Sequence, residues 1–97
     1  MYSTTRPIVT VMLPGALLAR TSNRATVTTA GATVRQVIDA LDTQFPGLRF
    51  NICHETGELR PFVNIFLNGE NIRYLQGLET PVPDGARLHV LPSVAGG

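Results

Sequence analysis

The sequence predicts an α+β fold in which one main helix packs across one face of a mixed sheet of four to five strands. Three observations carry that prediction. One segment, and only one, repeats apolar residues at convincing helical spacing; several short β-branched runs are bounded by turn residues; and these runs lie on both sides of the helix in the chain. At 97 residues the chain is long enough for one core and too short for two, so it reads as a single domain over 1–97 with a flexible tail from about 92.

The first strand is Pro7 to Leu13, where Val9, Val11 and Leu13 alternate and Pro14-Gly15 stops the run. Ala16 to Asn23 is ambiguous, with Leu17 and Leu18 available to close one end of the core. Ala25 to Ala30 is a second strand with Val27 inward, and the two strands suggest an opening hairpin. Thr33 followed by Gln36 has the form of a capping box, and Val34, Val37, Ile38, Leu41 and Phe45 then recur on one helical face until Pro46-Gly47. Arg35, Gln36, Asp39 and Thr43 occupy the other side, so this helix needs a sheet to lie on.

Leu48 to Arg60 reads as an irregular polar connection with a turn at Gly57. Phe62 to Leu67, Asn68-Gly69 and Glu70 to Tyr74 read as strand, tight hairpin turn and strand. Leu75 to Val82 is a connection and Pro83-Asp84-Gly85 a turn. Ala86 to Leu91 is the last strand, with Leu88 and Val90 inward and Arg87, His89 and Leu91 outward. This order suits the β-grasp: if the first and last strands are parallel neighbours at the centre, the chain leaves from one end of the sheet and the face away from the helix stays open.

Composition excludes several function classes. The formal charge is +1, and all eight basic residues are arginines scattered singly from Arg6 to Arg87. No basic stripe interleaved with aromatics points to nucleic acid, and nothing points to a charge-driven membrane role. The one cysteine, Cys53, cannot form an internal disulfide, no His/Cys spacing resembles a metal site, and a reducing cytoplasm fits best. The apolar run Ile8 to Ala19 is interrupted by Thr10 and Pro14-Gly15, which argues against a secretory signal. His54 and His89 have no Ser, Cys or carboxylate partner in a recognisable motif and read as surface residues. Cys53 beside His54 is read as a semi-buried thiol, since neighbours on an extended segment point apart and no third group orients a base. No catalytic constellation can be assembled.

The chain ends Leu88 to Gly97, LHVLPSVAGG. Pro92 has no N–H to donate and is expected to end strand pairing, and the small residues after it have little to bury. Gly96 and Gly97 carry no Cβ, so their carboxylate can be extended into a narrow active site; the competing reading is an ordinary disordered chain end. A terminal carboxylate is ionised at neutral pH and can attack the α-phosphorus of ATP when an enzyme presents it.

The PSVAGG ending, the preceding D-G-x-x-L-x-V-L-P at Asp84 to Pro92 and the run FVNIFLNGENIR at Phe62 to Arg73 resemble the bacterial ubiquitin-like sulfur carriers of the MoaD/ThiS type. Gly57, Leu59, Phe62 to Ile65, Asn68, Arg73, Gly77-Leu78 and Thr80 are similar to the branch serving cysteine biosynthesis. The resemblance implies a protein that is not itself an enzyme and binds no cofactor. Gly97 would be adenylated by a partner enzyme using ATP and converted to a thiocarboxylate, with Val94, Ala95, Gly96 and Gly97 inserted in the partner's active site. It further implies a pyridoxal-phosphate cysteine synthase as sulfur acceptor, with a zinc metalloprotease releasing the product.

Other readings stay open. They are the small subunit of a molybdopterin synthase working with its large subunit, a carrier for thiamin or a sulfur-containing natural product, a ubiquitin-like protein modifier, and a non-covalent β-grasp interaction module. The long Leu48 to Arg60 connection favours the cysteine-type branch or a natural-product carrier. Phe66, His89 and Leu91 are expected on the open sheet face as a partner-docking patch. The alternative is that Phe66 covers the sheet or meets Leu17 and Leu18. Arg60 and Arg73 are assigned no role.

Overall fold

Pairing of the first strand with the last sets the architecture. In the computed structural model, which describes residues 7–92, five strands form one sheet around this parallel pair. The strands are β1 (Ile8–Met12), β2 (Thr26–Ala30), β3 (Val63–Leu67), β4 (Glu70–Asn71) and β5 (Ala86–Pro92), in the order β2-β1-β5-β3-β4. The other three pairings are antiparallel. Helix α1 (Val34–Gln44) covers one face. This is the β-grasp arrangement that the element order predicts.

Alternation decides which face is dry. Val9 and Val11 of β1, Ile65 and Leu67 of β3, and Ala86, Leu88 and Val90 of β5 are buried on the helix side. Val34, Val37, Ile38 and Leu41 meet them from α1, and full burial of each such side chain contributes about 1.5–3 kcal/mol relative to exposure. The Thr33 hydroxyl accepts the Gln36 N–H (3.2 Å), as the capping box requires. The return bond differs by one residue: Gln36 Oε1 accepts from Ala32 N–H (2.9 Å) rather than from Thr33.

Several local expectations need correction. Leu48 to Arg60 is not uniformly irregular, because α2 (Arg49–Ile52) forms a single helical turn there. Asp42 Oδ1 accepts the N–H groups of both Gly47 and Arg49 (3.0 Å each), and Leu48 and Ile52, four apart, enter the core. Cys53 is fully rather than half buried, at 3% exposure, while His54 next to it is exposed. Ala16 to Asn23 resolves as a 3-10 helix over Gly15–Arg20 that buries Leu17.

The strand expected from Glu70 to Tyr74 stops after two residues. Asn71 Oδ1 accepts the Arg73 N–H (2.9 Å) and turns the backbone into a 3-10 turn, Ile72–Tyr74, which drives Ile72 into the core. The hairpin before it is as expected, with Asn68 (φ 49°) and Gly69 (φ 91°) both in the left-handed region. Phe62 lies in a turn before β3 and not on the strand face shared by Asn64 and Phe66. Pro92 does not end pairing either: it is the last residue of β5, opposite Val63. It is tolerated because β1 runs out of register with β5 at Met12 and His89, so the β1 side of Pro92 is already a sheet edge.

Candidate functional site: the open sheet face

The same alternation that buries Leu88 and Val90 turns Arg87, His89 and Leu91 of β5 to the uncovered face. Strand register then fixes their neighbours. His89 stands opposite Phe66 on β3 and opposite Met12 on β1, Met12 opposite Thr26, and Phe66 opposite Asn71. One row, Thr26–Met12–His89–Phe66–Asn71, therefore crosses all five strands. Leu91 lies in the next row, beside Asn64. Phe66 and Leu91 are half-buried and His89 exposed, and together with Met12 and Arg87 they line a shallow depression in the face.

Phe66, His89 and Leu91 are thus brought together. Phe66 stands opposite His89 on the uncovered face, whereas Leu17 is buried in the core on the other side. Sequence reasoning missed Met12. The signal was available, since Val9, Val11 and Leu13 alternate inward and leave Met12 outward, but placing it beside His89 requires the parallel register of β1 with β5.

The face has a charge character as well as an apolar one. Arg87 and His89 point outward, and none of the outward strand residues is a carboxylate. The Arg87 backbone is held by Asn68, whose Oδ1 accepts the Arg87 N–H (2.9 Å) and whose N–H donates to the Arg87 carbonyl (2.9 Å).

Gly97, with Gly96, Ala95 and Val94, lies outside the described residues. Among the described residues β5 ends at Pro92, three residues beyond His89, the last to pair with β1. Among the described residues no group of three or more His, Cys, Asp and Glu side chains could hold a metal ion. Cys53 does not offer an active thiol: burial pushes its pKa up, against the opposing pull of Arg35 and Arg49, and it faces the core. No helix among the described residues is long and apolar enough to cross a membrane.

The fold is that of a ubiquitin-like β-grasp protein with one sheet face left uncovered. Comparison with known proteins narrows this: the ThiS family model matches residues 11–97, and the chain belongs to that family. It is 36% identical over 91 residues to the sulfur carrier protein CysO of Mycobacterium tuberculosis, covering 92% of this chain and 98% of that protein. It is 39% identical over 66 residues to small archaeal modifier protein 3 of Haloferax volcanii, covering 68% of this chain and 71% of that protein. The crystal structure of the Amycolatopsis orientalis BexX/CysO complex contains a chain that superimposes with a TM-score of 0.86 at 38% identity, covering 92% of this chain and 99% of that one.

Proposed function

We propose that this protein is a sulfur carrier whose Gly97 carboxylate is activated by an ATP-dependent partner and converted to a thiocarboxylate for delivery to a biosynthetic enzyme. The observation that carries the reading is the family match through residue 97 on a β-grasp domain whose central strand leads directly into SVAGG. The chemistry is self-consistent. A carboxylate oxygen attacks the α-phosphorus of ATP and pyrophosphate leaves; hydrosulfide supplied by the sulfur donor then attacks the acyl carbon, AMP leaves and the thioacid proton is lost to solvent. The product is an ionised, soft nucleophile tethered to a folded domain.

The chain supplies the reacting terminus and a recognition surface, and its partners supply catalysis. Five residues beyond Pro92 span at most about 17 Å, so an enzyme holding Gly97 also meets the sheet end and, beside it, the face of Phe66, His89 and Leu91. The similarity to CysO favours cysteine biosynthesis as the destination, with a pyridoxal-phosphate cysteine synthase as acceptor and a zinc metalloprotease for release. All of these steps belong to a cytoplasmic setting. A second reading, conjugation of the same activated terminus to protein lysines, is favoured by the similarity to an archaeal modifier protein.

Intact mass spectrometry after incubation with ATP, a sulfur donor and the cognate adenylating enzyme tests the first reading. Replacement of one oxygen by sulfur at Gly97 is expected, and deletion of Gly97 should abolish it without changing thermal unfolding. Lysine-linked conjugates on other proteins, without a thiocarboxylate, would select the modifier reading.

A further inference from the structure

The place where β5 leaves the sheet is surrounded by features that the open face does not account for. Val63, opposite Pro92, is preceded by Phe62, a large aromatic left 66% exposed. Phe50, on α2, is 45% exposed. A groove lined by Pro14, Ala16, Leu17, Asn51, Val63 and Val90 opens at the same end of the sheet.

The turn that carries Phe62 is held from both sides. Val63 N–H donates to the Arg60 carbonyl (3.1 Å), closing the turn Arg60 to Val63. Arg73 Nη2 donates to the carbonyls of Arg60 (3.0 Å) and Val63 (2.7 Å), one on each side of Phe62. Arg60 Nε in turn donates to the Phe50 carbonyl (2.7 Å), which ties this turn to α2. These are the two arginines to which the sequence reading gave no role. Both are engaged by neutral carbonyls, and among the described residues neither pairs with a carboxylate.

An exposed aromatic on a backbone fixed in advance is what a binding hot spot requires, since little conformational freedom is left to lose on association. The two arginines add positive charge that no carboxylate among the described residues offsets within 4 Å. We propose that this collar, centred on Phe62 and bounded by Arg60 and Arg73, is a second docking surface. Its occupant is the adenylating enzyme that receives the tail, which meets it with an apolar rim carrying acidic side chains.

The identity of the occupant follows from chain length and rests on the carrier reading above. Gly97 is five residues beyond Pro92, a reach of at most about 17 Å. An active site deep enough to enclose the terminal glycines must bring its mouth close to Pro92, where Val63 and Phe62 lie. The collar is also continuous with the open face, because Asn64, next to Val63, pairs with Leu91. The two surfaces divide the work: the sheet face selects the partner, and the collar aligns the tail with the mouth of its active site.

The test is ATP-dependent pyrophosphate release by the adenylating enzyme as a function of carrier concentration. Phe62→Ala should raise KM about 10-fold or more with kcat within twofold, the pattern of lost uniform binding, and should leave thermal unfolding unchanged. Phe62→Tyr should restore KM. Ile8→Ala, which removes an exposed apolar side chain at the opposite end of the sheet, should behave as wild type.

A Phe62→Ala KM within twofold of wild type overturns the proposal, as does an equal rise in Ile8→Ala. Self-association of the wild-type chain that Phe62→Ala abolishes would assign the collar to a second copy and also overturn it. If wild type is not activated by an enzyme shown to act on another carrier, the carrier reading itself fails. If wild type and Phe62→Ala load equally well, only the collar fails.

Discussion

Replacing Gly31 by alanine is expected to loosen the helix from the sheet, and the structure permits the size of the effect to be worked out. Gly31 joins β2 to α1, and its N–H donates to the Pro7 carbonyl (3.1 Å). A Cβ at this position would stand 2.8 Å from the Val37 backbone nitrogen, 3.0 Å from the Gln36 carbonyl carbon and 3.0 Å from Val37 Cγ2. The first two atoms belong to the helix backbone and cannot swing aside, so α1 itself must retreat, carrying Val34 and Val37 with it. Overpacking of this kind costs about 1–3 kcal/mol. Loss of glycine's freedom in the unfolded chain returns about 0.4–1 kcal/mol, leaving a net destabilisation of about 1.3 kcal/mol at mid-range and about 2.6 kcal/mol at most. For a domain of this length the mid-range value is a fall in Tm of about 5–10 °C.

Equilibrium urea unfolding is the assay, with Gly15→Ala as the control. Gly15 has no heavy atom within 4 Å of its Cβ position, and its φ is not in the positive region, so alanine there should be neutral or slightly stabilising. The helix lies on the side of the sheet away from Phe66, so Gly31→Ala should lose stability while still docking at temperatures where it is folded. A Gly31→Ala midpoint equal to that of wild type, or equal to that of Gly15→Ala, would refute the steric account of how α1 is seated.

Thr33→Ala removes the hydroxyl that caps α1 and should cost about 1 kcal/mol in the same urea assay; an unmoved midpoint would show that the cap is dispensable. Cys53 should resist iodoacetamide near pH 8 in the folded protein and react once unfolded, whereas rapid native-state alkylation would contradict its burial. Because burial raises the Cys53 pKa, the unfolded state releases the thiol proton first. The stability contributed by the neutral thiol is full below about pH 8.5 and declines as pH rises toward the folded pKa, a slope that Cys53→Ala should remove. Finally, the chain contains no lysine, and guanidinium groups stay protonated, so activated copies should form no side-chain amides with one another; a chain-to-chain amide mapped anywhere but the α-amino group would refute this.

What was legible in the sequence, and what was not, divides by the distance over which the information acts. Val34, Val37, Ile38 and Leu41 declare a helical face within a few residues of one another, and Leu88 and Val90 declare a strand face, so α1 and β5 were readable directly. Asn68-Gly69 likewise carries its turn in two residues. By contrast, α2 depends on Asp42 reaching forward to Gly47 and Arg49, and the shortening of β4 depends on a side chain, Asn71, that competes with the ladder. The role of Arg73 depends on carbonyls 10 and 13 residues away, which no local pattern announces.

The candidate face shows the same division and also why it falls where it does. Phe66, His89 and Leu91 were readable because alternation within a strand is local, but their union with Met12 needed the register between the first and last strands. That register matters beyond assembling the patch. β5 is at once the strand that carries His89 and Leu91 and the strand that ends at Pro92 opposite Val63. The side chains shown on the uncovered face and the point at which β5 ends are therefore fixed together, because one strand carries both and is buried on its other side by Ala86, Leu88 and Val90. A substitution that slipped β5 by one residue would invert that alternation, drawing His89 inward and expelling Leu88. The dry side of the sheet thus decides which side chains the uncovered face presents, and core packing and the composition of that face depend on the same strand register.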